Sequence, residues 1–365
     1  MLSPDRLTKF VRSKVFLAFV ACFIILAALP LLIRNDFLLF VSTLIFVYAI
    51  YAASWNFLAN SGQGSLGHAV FLGIGGFASA IIGTRLSLAA VNALKLGTLP
   101  FGVLSVVLQI SVILVGGVLS AGIGLLIGLA CVRLKAWYLA MVTFGFLVII
   151  GTLSSQFDSI TNGINGFTPP DFVPAGFPFY ILVISFAIAS IGVMYALMKS
   201  RIGFAFRAIH GNEAEAKMIG INTAKYKLIA FTISTFFAGI AGGLYVYFFQ
   251  FVQNSIFSPD LAFLPLIMTV IGGLGTVAGP IIGAIFLTSI QQVLSTNAVA
   301  NSLSSSLGQY FPNVGYAVGP PLTYLIIGVV LIVIVIFSPK GLEPLFRKFY
   351  KYLTTEEKKD KAVDK

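Results

Sequence analysis

Long apolar runs separated by short polar segments dominate the hydrophobic pattern of the chain. Most runs approach the length of about 20 residues that an α-helix needs to cross the hydrocarbon core of a bilayer. They cover approximately residues 15–33, 37–59, 67–83, 106–130, 137–155, 179–198, 228–250, 261–275, 277–294 and 319–338. The pattern predicts an all-α integral membrane protein of about ten transmembrane helices. Counts of nine or eleven stay open, because the third run is short and only a glycine-rich break separates the eighth from the ninth.

The composition agrees with a lipid environment. Hydrophobic residues make up 58% of the 365 residues, charged residues make up 10%, and the mean hydropathy is +0.99. A soluble domain carries about 25% charged residues, so too few are present here to cover a surface in water. We interpret the first apolar run as a retained helix, because it is too long for the apolar core of a signal peptide.

Basic residues fall on one side of the predicted membrane. With the N-terminus inside, only Arg34, Arg85 and Lys95 of the 23 Lys and Arg residues lie outside. Cytoplasmic loops collect such residues, so both termini are predicted to be cytoplasmic in an inner-membrane protein. The predicted segments are a basic N-terminus (1–14), a transmembrane domain (15–338) with a cytoplasmic loop at 199–227, and a basic tail (339–365). The net charge of +11 then faces lipid headgroups and does not indicate nucleic acid.

Several kinds of chemistry are absent from the sequence. No Asp, Glu, Lys or Arg lies at membrane depth in the predicted spans, and His68 is their one titratable imidazole. Ion-coupled carriers usually keep ionisable residues there, although backbone carbonyls can also bind ions. No phosphate loop, metal-ligand spacing or nucleophile–base pair occurs, so we expect no cofactor and no enzyme activity. The chain therefore either takes energy from a partner or moves solute passively.

The cytoplasmic loop contains the signals of a short helix. Asn212 is a favourable N-cap, and Glu215 three residues later completes a capping box. Glu213 suits the first turn of the helix dipole, and Gly220 is placed to end the helix. A helix of two turns is marginal alone and would gain stability by docking on another protein. An ordinary capped connector between two spans is the alternative.

Two glycine-rich breaks interrupt the apolar pattern. In a membrane such breaks allow close helix packing or expose backbone groups to a cavity. We predict that they line a translocation path, with packing as the alternative for each residue. The candidates in the first break are Gly62, Gln63, Gly64, Ser65, Gly67 and His68, and those in the second are Gly272, Gly273 and Gly275.

Several segments together resemble one family of permeases. They are GQGSLGHAVFLGIGGFASA, RLKAWYLAMVTFGF, TNGINGF, RIGFAFRAIHGNEAEAKMIGIN, IGGLGTVAGPIIGA and FSPKGL, and they run in the family's order along most of the chain. The chain resembles the branched-chain amino acid (leucine/isoleucine/valine) ABC transporter permeases. Its length and long cytoplasmic loop are similar to those of the LivM-type subunit rather than the shorter sister subunit.

The resemblance implies a function and a set of partners. Glu213, Ala214, Glu215 and Gly220 match the loop that couples such permeases to an ATPase, although Glu215 stands where the family prefers Ala. The implied partners are a second permease subunit, two ABC ATPase subunits and an external solute-binding protein. Urea, short amides or other amino acids are alternative substrates within the family. A passive channel or secondary carrier is the alternative class.

Overall fold

The computed structural model describes residues 35–94, 101–134, 136–295 and parts of 325–344. These residues are almost entirely helical, as predicted, and they form no strand beyond an isolated antiparallel bridge between Phe167 and Val252. The predicted first span, the basic N-terminus, half of the last span and most of the tail lie outside the described residues.

The described helices include one at the position of each predicted span from the second to the ninth, but only six of these eight are long enough to cross a membrane. In chain order they are α1 (Asp36–Ala59), α2 (His68–Leu94), α3 (Phe101–Cys131), α4 (Ala136–Gln156), α5 (Asp158–Thr161), α6 (Phe177–Lys199), α7 (Arg201–Gly211), α8 (Glu213–Met218), α9 (Thr223–Phe249), α10 (Pro259–Gly272) and α11 (Gly279–Ser295). Two 3₁₀ turns occur at Gly163–Asn165 and Asn254–Phe257. Within this part of the chain, α1, α2, α3, α4, α6 and α9 are long and apolar enough to cross a membrane, and α10 and α11 are shorter apolar helices.

The core forms around α1, α2 and α9. Helix α9 packs against α1, α2 and α3, and α1 also contacts α6, α10 and α11. Large side chains such as Phe46 and Tyr51 are fully buried on α1. The outer helices α3, α4 and α6 leave many apolar side chains exposed, as expected for surfaces that face lipid or another subunit.

Glycines allow α2 and α9 to approach closely. A Cβ atom at Gly242 would overlap the carbonyl oxygen of Leu72, and one at Gly75 would overlap the backbone of Gly239. Small residues at such crossings are typical of membrane helices, where dispersion forces between tightly packed backbones replace the hydrophobic effect.

One end of the bundle contains the C-termini of helices α1, α3 and α6 and the N-termini of α2 and α9. This end also carries α7 and α8. We call it the basic end because seven Lys and Arg residues lie there. They are Arg133, Lys199, Arg201, Arg207, Lys217, Lys225 and Lys227.

Candidate functional site

The polar segment between α6 and α9 folds into two short helices. Helix α7 begins after Ser200, whose hydroxyl oxygen accepts a hydrogen bond from the Ile202 amide at 3.2 Å. It buries Phe206 and Ile209 and leaves its arginines exposed. This helix is not among those predicted for 199–227. The i, i+3 spacing of the two buried side chains is the amphipathic signal that would have found it.

Helix α8 begins at the predicted cap. The Asn212 side-chain oxygen accepts hydrogen bonds from the amides of Ala214 at 3.0 Å and Glu215 at 3.4 Å. The Glu215 carboxylate returns to Asn212, but it accepts from the side-chain amide at 2.6 Å and not from the backbone N–H of a capping box. That N–H already donates to the Ala208 carbonyl at 3.1 Å, because Asn212 also ends α7. One residue therefore joins the two helices.

Gly220 follows the end of α8, as predicted. Its φ of +86° is a conformation that residues with a Cβ atom rarely adopt. The Gly220 amide donates to the Lys217 carbonyl and the Ile221 amide to the Ala216 carbonyl, both at 3.0 Å. These two bonds form a Schellman motif. Capping at both ends explains how a helix of 6 residues is ordered.

Glu213 links α8 to the start of α9 through a hydrogen bond and an ion pair. One carboxylate oxygen accepts a hydrogen bond from the Thr223 hydroxyl at 3.1 Å and lies 3.1 Å from the Lys217 ammonium. The other oxygen pairs with Lys227, whose side chain is buried. Burial alone would raise the pKa of Glu213, but hydrogen bonds from Lys227 and Lys217 outweigh it and lower the pKa from 4.5 to about 2. The carboxylate is therefore ionised near neutral pH.

We expect this attachment to fail in acid. Because the folded pKa of Glu213 lies below the ordinary 4.5, its stabilising contribution is complete above that pH and is lost as the pH falls toward about 2. Protection of the α8 amides against hydrogen exchange, corrected for intrinsic rates, should decline over this window. Glu213→Gln should lower protection near neutral pH and remove most of the pH dependence. Identical protection profiles for the two proteins would contradict the role of Glu213.

The end of α8 carries an exposed apolar pair. Met218 is 80% exposed and Ile219 is 74% exposed, whereas Ala216 is buried. Single exposed apolar side chains are ordinary on a protein surface. Here two lie side by side at the end of a capped helix and next to the charged Lys217. A rigid apolar tip of this kind is suited to a groove on a partner protein.

The first glycine-rich break lies directly beside α7. The His210 imidazole Nδ1 is 3.1 Å from the carbonyl oxygen of Ala59, at the end of α1. Gly62, with a φ of +76°, approaches the backbone of His210 so closely that a Cβ atom would lie 3.4 Å from its Cα atom. Phe57 and Phe206 meet edge to face with ring centroids 5.5 Å apart. The break is therefore packed against the loop that carries α8.

The polar side chains of the first break are buried in this conformation. The Gln63 side-chain oxygen accepts a hydrogen bond from the Ser61 hydroxyl at 3.1 Å. The Ser65 carbonyl accepts from the Trp55 indole at 2.7 Å, but the Ser65 hydroxyl has no partner.

His68 connects α2 to α1. Its Nε2 atom lies 3.0 Å from the Ser54 hydroxyl oxygen, and its ring stacks on Tyr51 with centroids 5.5 Å apart. The Ser54 hydroxyl donates to the Tyr51 carbonyl at 2.7 Å. His68 Nε2–H is therefore the donor to Ser54, which leaves Nδ1 as an acceptor. That atom is buried without a partner, so His68 keeps one unused hydrogen-bonding site.

The candidate glycines divide into different structural types. Gly67 and Gly272 permit close packing, because a Cβ atom would overlap the carbonyl oxygens of Thr143 and Gly279, respectively. Gly64 has open space around it.

The second break has the strained backbone that glycine allows. Gly273 and Gly275 have φ values of +129° and +83°. Asn56, which the sequence analysis did not single out, spans this turn with both ends of its amide. Its oxygen accepts from the Gly275 amide at 3.0 Å, and its nitrogen donates to the Thr276 carbonyl at 2.7 Å. Both breaks therefore lie at the basic end, on either side of the end of α1.

The helices define a class of protein, and sequence similarity defines a family. Six membrane-length helices within the described residues make this a multi-pass membrane protein. The same residues include no group of three or more His, Cys, Asp or Glu able to hold a metal ion. The chain belongs to the family of branched-chain amino acid transport system permease components, which matches residues 37–335.

Relatives within this family and near it are transport permeases. The high-affinity branched-chain amino acid transport system permease protein LivM of Salmonella typhimurium is 25% identical, over 96% of this chain and 80% of the relative. The probable branched-chain amino acid transport permease protein LivM of Methanocaldococcus jannaschii is 25% identical, over 75% of this chain and 78% of the relative. The ribose import permease protein RbsC of Haemophilus influenzae is 28% identical, over 60% of this chain and 71% of the relative. No solved structure matches the chain. The chain is a transport component and not an enzyme.

Proposed function

We propose that this chain is the permease subunit of an ABC importer that carries branched-chain amino acids across the inner membrane. Energy comes from ATP that partner subunits hydrolyse. The observation that carries this proposal is the geometry of α8, a helix capped at both ends and fastened by Glu213, with Met218 and Ile219 exposed at its end. An ATPase subunit with an apolar groove is a partner for such a surface.

This function requires a particular orientation of the chain in the membrane and several partner proteins. The basic end faces the cytoplasm, where Lys and Arg are retained, and both termini lie on that side. A second permease subunit pairs with this chain in the membrane, and two ATPase subunits bind on the cytoplasmic side. A solute-binding protein delivers substrate from outside. The residues that we assign to coupling are Glu213, Ala214, Glu215 and Gly220. Those that we assign to the translocation path are Gly62, Gln63, Gly64, Ser65, Gly67, His68, Gly273 and Gly275.

Branched-chain amino acids are the favoured substrate because the family and several LivM relatives carry that description. The ribose import permease among the relatives makes a sugar the second candidate. Urea, short amides and other amino acids are further candidates within the same mechanism.

The decisive assay is uptake by the complete complex. We expect affinity purification of the tagged chain from its native membrane to recover a second permease and two ATPase subunits. In vesicles, this complex should import leucine when ATP and the binding protein are both supplied. Ribose and urea at equal concentration should be imported at least tenfold more slowly.

Two results would reject the proposal. Uptake that continues without ATP in vesicles holding this chain alone would identify a channel or secondary carrier. ATP-dependent uptake of ribose or urea, but not of leucine, would keep the mechanism and replace the substrate.

A further inference from the structure

The end of α1 contacts two separate parts of the basic end. On one side, the Ala59 carbonyl accepts a hydrogen bond from His210 Nδ1, and the Phe57 ring packs on Phe206. These two contacts attach α1 to α7. On the other side, Asn56 holds the turn between α10 and α11. These contacts lie within the last four residues of α1, about one helical turn. Movement of α7 therefore acts on the same short segment that holds the turn.

Helix α7 has little freedom to move independently of α8. Asn212 is both the C-cap of α7 and the N-cap of α8, so no flexible linker separates the two helices. A partner that pushes on Met218 and Ile219 therefore displaces α7 as well.

Two glycines set the backbone of the turn at the other side of α1. Gly273 and Gly275 have positive φ values, which residues with a Cβ atom rarely adopt, and Leu274 and Thr276 complete the turn. Thr276 bonds back to the Gly273 carbonyl at 3.0 Å and accepts from the Gly279 amide at 2.9 Å, which joins the turn to the start of α11. A shift of the turn therefore changes how α11 leaves it.

Asn56 is the side chain through which the end of α1 holds the turn. It is 4% exposed, and its amide engages one donor and one acceptor of the turn backbone. We propose that Asn56 is a positioning residue that passes movement of the α7–α8 pair to the turn at 273–276, so that displacement of α8 reorients α10 and α11. This inference rests on the proposed function, because the displacement is the one that an ATPase would impose.

The test compares ATP use with transport in the reconstituted complex. Asn56→Asp keeps the acceptor for Gly275 but replaces the donor to Thr276 with a carboxylate oxygen, which repels that carbonyl. The complex should assemble and hydrolyse ATP, while the ATP hydrolysed for each leucine imported rises at least tenfold. Thr43→Val is the matched control, because it removes a buried hydroxyl of α1 that bonds only within the helix, to Leu39. An unchanged ratio in Asn56→Asp would overturn the inference.

A double variant tests whether α7 and the turn share one route. His210→Ala should also raise the ratio, and the double variant with Asn56→Asp should be no worse than the more severe single variant. Additive effects would overturn the shared route. His210→Asn retains a donor near the Nδ1 position and should restore coupling, whereas His210→Gln moves the donor and should not.

A measurement on the unaltered complex covers the case in which the variants do not assemble. Hydrogen exchange at 273–276 should differ between the ATP-bound and nucleotide-free complexes. Equal exchange in the two states would overturn the inference even where leucine transport is normal. Failure of the unaltered complex to import leucine with ATP would instead reject the proposed function.

Discussion

Alanine at position 67 should strongly destabilise the bundle. A Cβ atom there would overlap the carbonyl oxygen of Thr143, which is backbone and cannot rotate away. The start of α2 would have to separate from α4, at a cost of about 3 kcal/mol, near the top of the range for overpacked sites. We expect a large loss of monodisperse protein in detergent and a lower midpoint of thermal unfolding.

Gly64→Ala is the matched control for this variant. Gly64 belongs to the same break, but a Cβ atom there meets no atom within 4 Å. The Gly64→Ala variant should therefore give the same yield of monodisperse protein and the same midpoint of thermal unfolding as the original protein. If Gly67→Ala were as stable as Gly64→Ala, the close approach of α2 and α4 would be wrong.

Glutamate at position 219 should remove ATP-driven transport without unfolding the protein. Ile219 is 74% exposed, so a charged side chain there disturbs no core contact. In an apolar groove of a partner, however, a carboxylate would be buried without a counter-charge. We expect a loss of at least 2 kcal/mol of binding, as at interface hot spots, which is about 30-fold in affinity for the ATPase.

The measurement is co-purification of the ATPase subunits, followed by leucine uptake in vesicles. Ile219→Leu keeps the apolar volume and should retain both. Met218→Glu should behave like Ile219→Glu, because the two exposed side chains are adjacent. Normal ATPase binding by both glutamate variants would contradict the docking role of α8.

The sequence allowed accurate prediction of features that depend on neighbouring residues. Apolar runs identified the described membrane helices, since their lengths are set by bilayer thickness. Asn212 and Gly220 marked the ends of α8, because capping is chemistry within one turn. The first span and half of the last lie outside the described residues, so the count of ten stays a prediction.

Features that depend on contacts between distant residues could not be predicted. Asn56 bonds to a turn that lies 219 residues later in the chain. Glu213 finds Lys227 only after the loop has folded onto α9. The sequence also could not separate a packing glycine such as Gly67 from a turn glycine such as Gly275. Both follow a leucine, and the difference in their roles lies in what surrounds each of them in the folded chain.

The pairing of Glu213 with Lys227 has a mechanical consequence. A loose loop pressed by an ATPase would bend, and the work done on it would be dissipated as heat in the loop. Helix α8 is capped at both ends, joined to α7 through Asn212 and bonded to α9 through Glu213, so it is attached to the bundle at more than one point. In the proposed complex, a force applied at its tip would therefore act on the end of α1 and the start of α9 and not on a single flexible loop.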